Sequence, residues 1–186
     1  MTSKRFFTLI IDHSPVWRPL FGLAGRLPPS DSHPDANLRT TLEDQGATAA
    51  FVAHGRHGLV AWAALHVVED DHPVRECPLK EALAASSTCL VPPSVRALET
   101  QLGSAHRIQA IRLVPLAGLS RPAAVGQVTW TWQQADTSTR VALISEAPYP
   151  HPFSDAVALM DELAQGLSWS SDDDPSADTY LKKAAS

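Results

Sequence analysis

Ala47-Thr48-Ala49-Ala50-Phe51-Val52-Ala53-His54-Gly55-Arg56-His57-Gly58-Leu59-Val60-Ala61-Trp62-Ala63-Ala64-Leu65-His66-Val67-Val68 is the stretch whose reading decides the fold. Two apolar runs, 47–53 and 59–68, flank a short polar segment that has glycine at its second and last positions. Glycines punctuating a polar tip are turn chemistry, so the whole reads as a buried β-hairpin. In the second run Leu59, Ala61, Ala63, Leu65 and Val67 would share one face, and Val60, Trp62, Ala64, His66 and Val68 the other. Both faces are apolar, which fits a strand covered on both sides. A buried, alanine-rich helix over 59–68 fits the same residues, because periodicity does not separate the two in short apolar runs. The flanking glycines and β-branched residues favour the strand.

Before the hairpin, Phe6–Ile11 is β-rich and predicts a first strand. Residues 14–34 carry Pro15, Pro19, Pro28, Pro29 and Pro34 with Gly22 and Gly25, which disfavours a long helix or a central strand there. A long connection is expected, with Val16, Trp17, Leu20, Phe21 and Leu23 packing its first half down. Asp35 can cap a short helix over 36–45, with Leu38 and Leu42 four apart and Gly46 as its stop.

After the hairpin, Pro78 predicts a helix containing Leu79, Ala82 and Leu83. Pro92-Pro93-Ser94 predicts another, with Val95, Leu98 and Leu102 on one side and Gly103 as its end. Strands follow over 106–114, 124–134 and 140–146, the last two joined by Asp136-Thr137-Ser138-Thr139. Ser154 then opens a helix whose Ala156, Leu159, Met160, Leu163, Ala164 and Leu167 recur at helical period. Asp161 and Glu162 fall on its polar side. Residues 170–186, with Asp172-Asp173-Asp174, read as an acidic, flexible tail.

The expected fold is α+β. Residues 1–169 would form a single domain with a mostly antiparallel sheet of about six strands, helices packed on one face, and a C-terminal amphipathic helix. The opening order of elements also matches a split β-α-β unit, which carries no functional meaning by itself. At 186 residues, 44% of them hydrophobic and 19% charged, the chain is long enough to bury a core. A net charge of −5 with scattered basic residues predicts no nucleic-acid partner. Cys77 and Cys89 are the only cysteines and read as free thiols of a reducing compartment. Asp12-His13 cuts the N-terminal apolar run too short for a secretory leader. No run nears membrane-spanning length, so no membrane partner is expected and the location predicted is cytoplasmic.

Three groups of residues could carry chemistry. His54 and His57 sit three apart in the hairpin turn, with His66 further along, and imidazoles are metal ligands. The spacing is not the helical His-Glu-x-x-His pattern and no carboxylate base adjoins, so no metal and no cofactor are predicted. Asp12-His13 at a strand end is the best placed acid–base pair. Neither cysteine clearly occupies a helix N-terminus, and no Gly-x-Ser-x-Gly elbow exists, so no nucleophile stands out.

In Gln127-Val128-Thr129-Trp130-Thr131-Trp132-Gln133 the period is two: the tryptophans share one face and the threonines the other. Tryptophans facing a core are anchors; facing a groove, they supply contact area to a partner. The uncharged Thr/Gln face also suits an interface. The expected function is therefore a protein–protein interaction module (an adaptor, inhibitor, immunity-type or assembly factor). Its contact residues would be Trp130, Trp132, Thr129 and Thr131, and its protein partner is not identified by the sequence. The alternative is a small-molecule-binding protein or enzyme with a pocket built on Asp12/His13 or His54/His57, with metal assistance as one version. Oligomeric state is not legible.

Overall fold

The computed structural model describes residues 7–11, 14–22, 35–69, 89–115, 121–133 and 139–171. The expected helix at Pro78, Cys77, the pair Asp12-His13 and the acidic run 172–174 lie outside the described residues.

The quoted stretch is a hairpin. Strand β3 (Ala49–Gly55) pairs antiparallel with β4 (Gly58–Glu69), so residues 59–68 form a strand and not a helix. Gly55 stands opposite Gly58, and Gly58 has φ +119, a left-handed backbone that an L side chain resists. A register shift after Ala53 bends the hairpin close to that turn.

Strand β2 (Trp17–Phe21) adds to the outer side of β3, inside the proline-rich connection. It carries Pro19, and its place at the sheet edge is where a residue without an amide donor is tolerated. On the other side, β4 pairs with β8 (Thr139–Pro148), β8 with β7 (Ala123–Gln133), and β7 with β6 (Gly103–Val114). β5 (Ser94–Thr100) closes the order β2-β3-β4-β8-β7-β6-β5, antiparallel throughout. Strand β1 (Phe7–Ile11) leaves this sheet and pairs with β9 (Leu167–Ser171).

The main sheet has seven antiparallel strands, in rough agreement with the about six expected, with a separate two-stranded pair beside it. Three expectations are corrected. Residues 94–100 form β5 and not a helix. Val95, Leu98 and Leu102 have helical spacing, but a turn at Gln101-Leu102 lets Thr100 stand opposite Gly103, and pairing with β6 overrides local pattern. Gly103 supplies the φ of +117 at that turn. The strands run as two meanders, β2-β3-β4 and β5-β6-β7-β8, joined by β4 against β8, so the split β-α-β arrangement is not formed.

The third correction concerns the helices, which cover opposite faces. α2 (Phe153–Gln165) packs on the face bearing Phe51, Ala63, Leu65, Leu143, Val128, Trp130 and Trp132, burying Ala156, Met160, Leu163 and Ala164. α1 (Ala36–Asp44) packs Leu42 against Ala50, Val52 and Ala64, residues of alternate parity on the same strands. The doubly apolar pattern of β3 and β4 thus has its cause: each face meets a different helix. Gly46, with φ +75, lies just beyond the end of α1 as expected. Ser154 lies inside α2 instead of capping it, with its hydroxyl 3.1 Å from His151 Nδ1.

Candidate functional site

Where the α2-covered face reaches β5 and β6, the helix no longer fills the sheet and leaves a cleft of about 220 Å³. Ser94, Arg96 and Leu98 of β5 line it on one side. Arg107 and Gln109 of β6, Trp130 of β7, and Asp161 and Gln165 of α2 complete it. These residues converge because antiparallel register is strict: Arg96 is opposite Arg107, and Arg107 is opposite Trp130, all on one face.

The floor of the cleft is an ion pair. Arg107 Nε donates to Asp161 Oδ1 at 2.8 Å and Nη2 donates to Oδ2 at 3.0 Å, the two-point fork that suits guanidinium to carboxylate. Arg107 Nη1 donates to Gln109 Oε1 at 3.1 Å, and Trp130 Nε1 donates to Asp161 Oδ1 at 3.1 Å. Arg107 is buried and Asp161 partly so, which makes the pair a fixed piece of the wall. Arg96, in contrast, is exposed and stands beside the pair, with no carboxylate of its own among the described residues. The helical pattern puts Asp161 on the polar side of α2; in the fold it sits at the border of the apolar stripe and turns inward to Arg107 and Trp130. Arg107 carried no signal in the sequence beyond sharing strand parity with Ala105 and Gln109.

The tryptophans are core. Trp130 and Trp132 are 2% and 4% exposed, their rings stacked at 5.8 Å, and Trp132 Nε1 donates to Thr100 Oγ1 at 2.9 Å. Thr129 is buried and Thr131 half-buried on the opposite face. The four residues named as contact candidates lie on two faces, as their alternation predicts, with both tryptophans packed inside.

The histidines do not converge either. His57 is exposed in the hairpin turn. His54 points to the start of α1, where its Nε2 lies 3.2 Å from the buried Asp35 carboxylate. His66 is half-buried in β4, and burial pulls its imidazole below the ordinary histidine value, opposed by a backbone hydrogen bond with Gly46. Among the described residues no three His, Cys, Asp or Glu side chains gather where they could hold a metal ion.

A second polar cluster lies on the face away from α2. Arg112 Nη1 donates to Gln127 Oε1 at 3.4 Å and lies 4.0 Å from Glu146, which stands opposite Trp62. Burial pushes the Glu146 carboxyl above the ordinary glutamate value, and Arg112 partly offsets the shift.

No protein-family model matches the chain, and no curated protein matches its sequence. Among solved structures, the chain is similar to LpqN of Mycobacterium tuberculosis, described as involved in cell envelope biogenesis. The two share 14% identity with a TM-score of 0.49, covering 90% of this chain and 86% of LpqN. Among the described residues no helix is long and apolar enough to cross a membrane.

Proposed function

We propose that this chain is a protein-binding module that engages its partner at the β5 end of the sheet. The observation that carries this reading is the state of β5. It pairs with β6 on one side, and among the described residues no strand pairs on its outer side. Ser94 and Arg96 to Glu99 are all exposed, including Leu98 at 40%. An edge strand with free amides and carbonyls is a template for an added strand, and such edges are otherwise blunted by bulges, prolines or cover. The β5–β6 register has no irregularity to twist the edge away. β2, at the opposite edge, carries both Pro19 and a register shift against β3. The contrast singles out β5 as the available edge.

Site-specific photo-crosslinking in the native host tests this. A photoreactive residue at Leu98 should give one discrete protein adduct, while the same residue at exposed Asp44, at the end of α1, should give none. Absence of an adduct at Leu98, or equal yields at both positions, would overturn the proposal.

A further inference from the structure

We infer that the cleft beside β5 receives an acidic side chain, carried by an extended partner segment that adds to the β5 edge. The inference rests on the protein-binding reading above and names the chemistry by which that site would recognise its partner.

The charge balance of the cleft comes first. Two guanidinium groups, Arg96 and Arg107, occupy directly opposed positions on neighbouring strands and face the same way. Like charges so placed repel. Among the described residues the only carboxylate lining the cleft, Asp161, already accepts two bonds from Arg107 and one from Trp130. Its charge is matched by Arg107, to which it is bound in two-point geometry. The remaining lining groups (Ser94, Leu98, Gln109, Trp130 and Gln165) are uncharged. Among the described residues the cleft therefore holds one positive charge in excess, on a chain whose net charge is −5. Arg96 is the group left to bind an anion. Arg107 keeps two of its five N–H donors beyond the three it spends on Asp161 and Gln109.

Geometry then selects the carrier of that anion. The β5 residues that line the cleft are Ser94, Arg96 and Leu98, the alternate positions on one face of an edge strand. A strand added to β5 would set its own alternate side chains about 5 Å from these three, over the mouth of the cleft. The residue beside Arg96 would then reach in, and the residue two positions away would cover Leu98, which is 40% exposed. The matching pattern is an acidic residue and an apolar residue separated by one position. A volume of about 220 Å³ suits one side chain, below the size usual for a whole small-molecule ligand.

The test uses the full chain and synthetic peptides. The probe is acetyl-Thr-Glu-Thr-Leu-Thr-Val-amide, with its Glu→Gln and Glu→Lys versions, followed by backbone amide shifts and titration calorimetry. The Glu peptide should shift the amides of residues 94–100 and bind about fivefold or more tighter than the Gln peptide, as expected for a partly exposed charge-assisted bond. Arg96→Gln, an exposed change outside the Arg107–Asp161 pair, should erase that preference, so that the Glu and Gln peptides bind alike. The preference should also shrink between 50 and 500 mM salt, on the order expected for screened charges.

Equal binding of the Glu and Gln peptides to β5 would overturn the acidic specificity and leave the edge-binding reading standing. Failure of every peptide to shift β5 overturns the inference, and the Leu98 crosslink then decides the reading beneath it. Glutarate alone shifting the same amides as strongly as the Glu peptide would show a free small anion as the occupant, and would overturn the peptide assignment.

Discussion

Arg107 and Asp161, 54 positions apart in the chain, meet in a two-point ion pair that fastens α2 to β6, the second strand in from the β5 edge of the sheet. Trp130 donates its indole N–H to the same carboxylate, so helix and two strands share one polar junction. Burying an ion pair gains little over a well-packed apolar pair, but removing one partner strands the other. Asp161→Ala should therefore destabilise the protein by about 3 kcal/mol, the low end for a broken buried pair because Asp161 keeps contact with water. The double change Arg107→Met with Asp161→Leu should cost clearly less than Asp161→Ala alone. Urea unfolding midpoints of the three proteins check this, and a double change as damaging as the single one would show that the pair is worth more than its desolvation.

The β5–β6 turn is tied to the core through one hydroxyl. Thr100 Oγ1 accepts from Trp132 Nε1 at 2.9 Å and from the Leu102 amide at 3.2 Å, and donates to the Gly103 carbonyl at 2.9 Å. Thr100→Val keeps the shape and leaves the buried indole N–H without an acceptor, at an expected cost of about 1–3 kcal/mol. Trp132→Phe in the Thr100→Val background removes that donor, so its added cost should be smaller than in the wild type. Additive losses in a double-mutant cycle would show that the hydroxyl does not act through Trp132.

Gly126 makes room for the first residue of α2. A Cβ there would run into the Phe153 ring, which is itself buried. Gly126→Ala should cost about 1–3 kcal/mol by overpacking. Phe153→Leu alone should also destabilise, through lost packing. Combined, the two should cost less than their sum, because the smaller side chain frees space for the new methyl group. Thermal melts of the four proteins read the coupling directly, and strict additivity would mean that the ring moves aside at no cost.

These junctions also show how much of the molecule was legible beforehand. The β3–β4 hairpin was readable because its glycines sit where the backbone needs them and its strands are apolar on both faces. α2 was readable from the spacing of Ala156, Met160, Leu163 and Ala164. β5 was not: Pro92-Pro93-Ser94 resembles a helix start, and Val95, Leu98 and Leu102 keep helical spacing. Only pairing with β6 puts Val95 and Leu98 on opposite faces. The candidate site was illegible for a related reason. Arg96, Arg107 and Asp161 come from three elements, and only strand register and helix docking bring them together. The histidines drew notice as metal ligands by type, yet His54 and His57 leave the hairpin in different surroundings, one at α1 and one in solvent.

Glu146 gives the sheet a pH dependence of definite sign. Burial raises its carboxyl above the ordinary glutamate value, with Arg112 at 4.0 Å pulling it partly back. Between the ordinary value and the raised one, the folded protein holds a proton that the unfolded chain has released. Stability therefore falls as pH rises through that window, and the penalty is complete above the raised value. His66 works in the opposite sense, because its lowered imidazole favours folding as pH rises toward and past the ordinary histidine value. Glu146→Gln keeps the side chain's shape and removes its titration, while Arg112 retains Gln127 as acceptor. The difference in stability between variant and wild type cancels the His66 contribution. It should be least at acid pH, where Glu146 is protonated in both states. It should then grow in the variant's favour as pH rises from the ordinary glutamate value, and level off once Glu146 is ionised in the fold. Urea midpoints taken in steps from acid to neutral pH measure that curve, and a difference that stays constant with pH would remove Glu146 as its source.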